Sequence, residues 1–534
     1  MVRRRPGNDY HIIAFCSSKM RSFSEPKTTL TSAALIFAIG CGLAVVETAA
    51  RAGAIHHGQG EMAGEVTDSS VILQSRLTQT DQLVDGDLPG TPGVARFEIA
   101  TEENFREENE NVRPTDWIEA TANYDYIIKT KVAGLKPGTR YFYRLRYGEN
   151  KENTQLGRTC SFKTLDGPLQ LQNSPVSFVV VTGMNYAFFH MGTDGRGRRM
   201  YTGPDKHLGY PALATILEMK PGFFVGTGDN VYYDHPMATR ARTQKELRRK
   251  WHEQFVQPRF VELFSQVPTY WEKDDHDHRF NDCDPQTPVR GSHETAEDGA
   301  NPELAQQPSN QLGIRTFWEQ VPVVDPREKE PVTYRTHRVS RDLQIWLVEG
   351  RDYRSPHTMP DGPRKTLWGN QQMAWLQKTL LASDATFKIL ISPTPLVGPD
   401  SKGKRDSHAN IGGFQHEAGE FFDWLTKHGF LDRNFYLVNG DRHWQYHAVH
   451  PSGFEEFSCG PICDANASGP IAPGQRGSTD PEGKITHKYT QSGQSGGFLK
   501  VGITPQGESS PAQAEFSFYD EGGQVLYREQ KTAK

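Results

Sequence analysis

Three short stretches of the chain concentrate carboxylate, imidazole, amide and phenol groups. The first is Gly228-Asp229-Asn230-Val231-Tyr232-Tyr233-Asp234. The second is Trp271-Glu272-Lys273-Asp274-Asp275-His276-Asp277-His278-Arg279-Phe280-Asn281-Asp282, and the third is Asn439-Gly440-Asp441-Arg442-His443-Trp444. The second stretch alone describes a solvated charged face equally well. The first and third argue otherwise, because Asp229 and Asp441 each follow an apolar run and a Gly. Such a Gly lets the backbone turn sharply and approach a ligand closely. Three acidic clusters brought to neighbouring sheet ends would repel one another without a cation. Oxygen donors with one or two His suit Ca, Mn, Fe or Zn.

The elements that must hold these groups read as alternating strand and helix. Val176-Ser177-Phe178-Val179-Val180-Val181 is nearly all apolar, like a strand buried on both faces. Similar runs occur at residues 221–229, 343–349, 387–392 and 435–441, with helix-like stretches at 208–219, 371–382 and 417–427 between them. That order predicts an α/β fold, a sheet layered with helices. The polar clusters fall just after the strand C-termini, where open α/β sheets form their sites. Residues 283–331 are rich in proline and polar side chains and predict a long irregular excursion. Upstream, short alternating segments at 70–77, 94–99, 124–130 and 141–147 predict a small antiparallel β-sandwich over 66–166. Residues 53–65 lack periodicity and read as a linker, and the catalytic unit is expected over 174–534.

The chain has 534 residues and a formal net charge of −5. No excess of Lys or Arg marks a nucleic-acid-binding module. Six cysteines are too few for a disulfide scaffold. Cys459 and Cys463 are spaced to pair within a loop or to remain buried thiols. Residues 28–46 carry no charge, follow Lys19, Arg21 and Lys27, and precede Ala50-Arg51-Ala52. That arrangement predicts a signal peptide within residues 1–52, hence a secreted or periplasmic protein with no transmembrane segment after cleavage.

Taken in order, Gly228-Asp229-x-x-Tyr232, Asp274-Asp275-His276-Asp277 with Asn281, and Gly440-Asp441-Arg442-His443 resemble the signatures of the alkaline phosphatase D (PhoD-like) metallophosphatases, within the calcineurin-like metallophosphoesterases. Glu349-Gly350-Arg351-Asp352-Tyr353-Arg354 resembles the family's Asp-x-Arg-x-x-Arg segment, with Glu for the usual Asp. Gly64-Glu65-Val66-Thr67 and Leu135-Lys136-Pro137-Gly138-Thr139-Arg140-Tyr141 are similar to a fibronectin type III-like N-terminal domain. The resemblance spans about residues 64–534 and implies a four-layer αββα sandwich behind that domain. It implies hydrolysis of small phosphate monoesters or diesters by a hydroxide at a bimetal centre of two divalent or trivalent ions (Ca, Fe, Mn or Zn). Asp229 then matches the bridging carboxylate, Tyr232 the phenolate ligand, Asn281 an amide ligand, and Asp441 and His443 further ligands.

His276, with Asp275 beside it, is the catalytic candidate of the second motif. It either protonates the leaving alkoxide or orients a ligand carboxylate. Arg351 and Arg354 either bind phosphate as bidentate forks or anchor Glu349 or a loop carboxylate. The family's iron site uses a Cys just after the first catalytic strand. This chain has Thr182-Gly183-Met184-Asn185-Tyr186 there, which leaves Asn185 as a substitute oxygen ligand and His190 as a nearby imidazole. The competing reading is a catalytically degenerate, exported surface-binding protein on the same scaffold. Oligomeric state is not encoded in these patterns.

Overall fold

Strand Val176–Val181 buries both faces from Phe178 onward, and its alternate residues serve two different cores. Phe178 and Val180 point into one apolar cluster, Val179 and Val181 into another. The same division holds at Phe223–Thr227, where Phe223 and Val225 face one way and Phe224 the other. A strand with two apolar faces must be covered twice, and that requirement builds the layers. The computed structural model describes residues 54–105, 112–168, 174–193, 199–286, 308–507 and 510–534. The expected signal segment therefore lies outside the described residues. Residues 53–534 form one compact unit.

Two sheets pack face to face. One has nine strands in the order Val525–Thr532, Gln513–Asp520, Gly497–Thr504, Val176–Val181, Phe223–Thr227, Thr269–Glu272, Glu61–Gly64, Ser70–Arg76, Ile127–Ala133. Its central members Val176–Val181, Phe223–Thr227 and Thr269–Glu272 are parallel. The other has seven strands and a parallel centre made by Leu343–Leu347, Phe387–Ser392, Phe435–Asn439 and Glu455–Ser458. Between them lie Phe178, Val225, Tyr270, Ile345, Ile389 and Val438. Helices Pro211–Met219, Gln244–Phe255, Pro258–Phe264 and Asn310–Gln320 cover the outer face of the first sheet. Gly369–Ala382 and Gln415–Lys427 cover that of the second. The result is the αββα order that the family resemblance implies, and an α/β fold as the alternation predicts. Each buried Val, Leu or Phe contributes about 1.5–3 kcal/mol of transfer free energy, so four apolar faces outweigh local propensity. Local signals still mark the ends: Thr243 and Glu246 form a reciprocal capping box at the start of Gln244–Phe255.

The N-terminal β-strands do not stand apart. Residues 61–64, expected to be linker, form strand Glu61–Gly64, which pairs with Ser70–Arg76 and meets Thr269–Glu272 in parallel. Four residues are too few to show periodicity, and all four are buried, so nothing alternates. Strands Gly93–Ala100 and Arg140–Gly148 belong to a separate six-stranded sheet that packs against this edge through Phe97, Tyr143 and Leu145. The Tyr141 hydroxyl accepts the Lys136 N–H at 2.9 Å and ties that strand to the preceding turn. The excursion expected to be irregular contains helix Asn310–Gln320, started by a Ser309 cap. Lys129 Nζ donates to three carbonyls at the far end of that helix, Trp318, Glu319 and Val321, at 2.7–2.8 Å.

Candidate metal centre

Asp229 and Asp441 occupy equivalent places, one at the end of the central strand of each sheet. Each is a non-glycine residue in the left-handed region, with φ of +54° and +56°. Asp tolerates that conformation better than most side chains. The glycines before them allow close contact. A Cβ on Gly228 would lie 2.4 Å from Asp274 Cβ, and one on Gly440 would lie 2.5 Å from the Thr227 carbonyl oxygen. The two sheet ends therefore touch at this point, and the acidic loops meet across it.

Asp229 Oδ2 is the meeting point of the cluster. It accepts from Tyr232 Oη at 2.8 Å and lies 3.3 Å from His443 Nε2, which is 3.2 Å from the same Tyr232 oxygen. Asn466 Nδ2 donates to Tyr232 Oη at 2.8 Å and to the Gly183 carbonyl at 2.9 Å, which fixes the phenol. Donor atoms of Asp229, Asp275 and His276 lie within 4.8 Å of one another, as do those of Asp275, Asp282 and Asp406. Asp275 thus links two acidic groups. Asp441 stands at the rim, paired with Arg442 and 3.7 Å from Lys404.

Not every acid here is available. Asp277 accepts from the backbone N–H of Asp274 and Asn230 and from the Asn230 amide, and so ties two of the motifs together. Asp234 holds His276 Nδ1 at 2.7 Å, leaving Nε2 as the second ring nitrogen. Asp274 is matched by Arg351. Asp229 Oδ1 is buried and has no hydrogen-bond partner, and the same is true of Asp274 Oδ2, the oxygen that Arg351 leaves unmatched. An unpaired buried carboxylate oxygen costs free energy, so a cation is its natural complement.

The electrostatics point the same way. Burial pushes the Asp275 carboxyl up to about 7, although His276 and Arg351 oppose the shift. Burial and the Asp229 charge raise Asp277 to about 7 as well. Burial opposes ionisation of Asp229, but His276 and His443 outweigh it and hold the group below the usual carboxylate range. Burial would discharge His276; Asp234, Asp275 and Asp229 together keep its pKa well above that of a free imidazole. Carboxylates crowded to this degree fit a di- or trivalent ion, and the donor set of carboxylates, imidazoles and a phenol suits such ions.

The expected residues do not all take the expected places. Asp229, Tyr232, Asp275, His276 and His443 converge, and Asp441 joins them at the edge. Asn281 is exposed, and its backbone N–H donates to Asp234. Asn185 is occupied at both ends, its Oδ1 capping helix Tyr186–Met191 through Phe188 N–H and its Nδ2 contacting His235. It is therefore not placed as a substitute for a thiolate. His190 faces Gln257 instead of the cluster. Arg351 and Arg354 do not present forks to a substrate. Both are buried; Arg351 bridges Asp274 and Asp406, and Arg354 binds Asp406 and its carbonyl. Of the alternatives open for these arginines, the loop carboxylate is the one occupied. Cys459 and Cys463 are free, buried thiols. Lys404, Asp406 and Asn466 escaped notice in the sequence because they sit in segments without periodicity, and Asp282 falls within the second stretch but is given no role of its own there.

A four-layer αββα sandwich with an acidic His/Asp/Tyr cluster at its sheet ends is the architecture of a metallophosphoesterase. It matches a solved structure of PhoD at a TM-score of 0.64, with 18% identity and 89% of each chain covered. It also matches a purple acid phosphatase isolated from yellow lupin (Lupinus luteus) seeds at 0.54, with 13% identity over 90% of this chain and 74% of that one. No curated protein sequence matches the chain. The PhoD-like phosphatase family model matches residues 178–507, and the model of the PhoD-like phosphatase N-terminal domain matches residues 43–165. The chain belongs to the PhoD-like phosphatase family. It is accordingly a phosphoric ester hydrolase of the metal-dependent kind.

Proposed function

We propose that the chain hydrolyses small phosphate esters at a two-ion centre held by Asp229, Tyr232, Asp275, Asp441 and His443. The observation that carries this reading is the buried, partnerless Oδ1 of Asp229 within a cluster of converging donors. Bound there, divalent or trivalent ions would supply positive charge to the phosphoryl oxygens and lower the pKa of a water molecule. The chain's own groups do the rest. The carboxylates of Asp229 and Asp275, the latter shared by the two acidic groups, would offset repulsion between bound cations. Asn466 orients Tyr232, and Asp234 orients His276 through Nδ1. His276, oriented by Asp234, is the group that gives a proton from Nε2 to the leaving alkoxide. No Ser or Cys nucleophile is needed, so the reaction goes without a phosphoenzyme. The loss of the family's thiolate, with Asn185 turned away, favours oxygen and nitrogen ligands and ions such as Ca, Mn or Zn over a thiolate-bound iron.

We read residues 1–52 as an export signal on the strength of their sequence, and the N-terminal β-region as a brace for the catalytic layers. Among the described residues no helix is long and apolar enough to cross a membrane.

The test is turnover of p-nitrophenyl phosphate and bis(p-nitrophenyl) phosphate by the purified full chain, before and after chelation, beside Asp229→Asn. Asn is the informative replacement because it tolerates the left-handed backbone. Activity that vanishes on chelation and returns with added ion supports the reading. Turnover by chelated protein at the untreated rate contradicts it.

A further inference from the structure

The site's positive side chains divide into two kinds. Arg351, Arg354 and Arg442 are nearly fully buried, and each is matched by carboxylates: Asp274 and Asp406 for the first, Asp406 for the second, Asp400 and Asp441 for the third. Lys273 is likewise buried between Glu349 and Asp352. Lys404 differs. Its side chain is 25% exposed, and it stands at the mouth of the cluster, 2.9 Å from Asp282 Oδ1 and 3.7 Å from Asp441 Oδ1. Both contacts are ion pairs without hydrogen-bond geometry, and an ammonium has three donors. Asp282 in turn belongs to the group that includes Asp275. The ammonium is therefore one carboxylate away from the donor cluster and has donor capacity facing the open side.

We propose that Lys404 is the specificity-determining cation of this site, taking a non-bridging phosphate oxygen and favouring monoester dianions over diester monoanions. This rests on the hydrolase reading above. A monoester brings one more negative charge than a diester to the same place. An ammonium at the rim distinguishes the two by charge, whereas the arginines are nearly fully buried and hydrogen-bonded to carboxylates.

The experiment compares wild type, Lys404→Met and Lys404→Arg, all as full chains replete with ion. It measures kinetics on both nitrophenyl esters, inorganic phosphate binding by calorimetry, and bound ion by elemental analysis. For Lys404→Met we expect kcat/KM on the monoester to fall roughly 10- to 100-fold, the scale of one charge-assisted hydrogen bond, mostly through KM. Phosphate affinity should weaken by a similar factor, the diester should lose distinctly less, and ion content should hold. Lys404→Arg should keep much of the monoester preference. Equal losses on both esters, unchanged phosphate affinity, or loss of bound ion would each overturn the assignment, the last by showing a strut between Asp282 and Asp441. Failure of wild type to turn over either ester would sink the hydrolase reading instead, and phosphate calorimetry would still decide the role of Lys404.

Discussion

Two of the buried charge clusters among the described residues are built on opposite terms. At the junction of the N-terminal strands with the helical layer, Asp125 receives Arg76 at 3.0 Å, His252 at 2.7 Å and Gln320 at 2.8 Å. His252 spends its other nitrogen on Asp87 at 2.6 Å. Each charge in that group is answered by a side chain. At the sheet ends, Asp229, Asp275 and their neighbours present more negative charge than the chain itself answers, and one oxygen of Asp229 has no partner. A cluster the chain completes is a clamp. A cluster it leaves incomplete is a place for something to bind.

The contrast breaks most visibly at Asp229. Asp229→Asn should lower kcat on p-nitrophenyl phosphate by at least ~10³-fold, the scale of losing a group that stabilises transition-state charge. The melting temperature should stay within a few degrees of wild type at matched ion concentration. A variant that melts early and retains activity would mean the two clusters had been assigned the wrong way round.

Asp125→Ala should do the reverse. It leaves Arg76 and His252 buried without their shared anion, which costs about 3–5 kcal/mol in comparable cases. Denaturant unfolding should register that loss, while ion content and kcat of the folded fraction hold.

Acid sharpens the same distinction. Burial opposes ionisation of Asp125, but His252 and Arg76 outweigh it and lower its pKa in the folded chain. Its contribution is therefore complete above the unfolded carboxyl's pKa of about 4 and drains away as pH falls below that. Stability of the wild type should decline more steeply below pH ~4 than that of Asp125→Ala. Parallel curves would remove Asp125 from the clamp.

The smallest effect is expected at Asn466. Asn466→Ala deletes one neutral hydrogen bond to Tyr232, worth about 1 kcal/mol, and should slow turnover roughly fivefold. No change in rate or ion affinity would mean the phenol is held by packing alone.

How much of this was legible in the sequence follows from what each residue depends on. Asp229 and Asp441 could be read because a buried strand, a Gly and an acid form a local pattern. A sheet layered with helices could be read because strands with two apolar faces demand cover on both, whereas the four-layer order followed only from the family resemblance. Arg351 and Arg354 were ambiguous, since a guanidinium reveals nothing about which anion it meets, and Asp406 lies more than fifty residues away in an aperiodic loop. Lys404 and Asn466 reach the site only through loop packing. Asn185 misleads because the slot of a missing thiolate invites a substitute, whereas helix capping claimed its oxygen first. Strand Glu61–Gly64 hid inside an apparent linker because four uniformly buried residues carry no alternation.

The most direct measurement is the ion content of the purified full chain. Elemental analysis of wild type and Asp229→Asn, after exhaustive dialysis without chelator, should find one to two tightly held ions per wild-type chain and a clear deficit in the variant. Folded wild-type protein that retains no such ion, and gains neither stability nor turnover when ions are supplied, would contradict the claim that these carboxylates converge around metal.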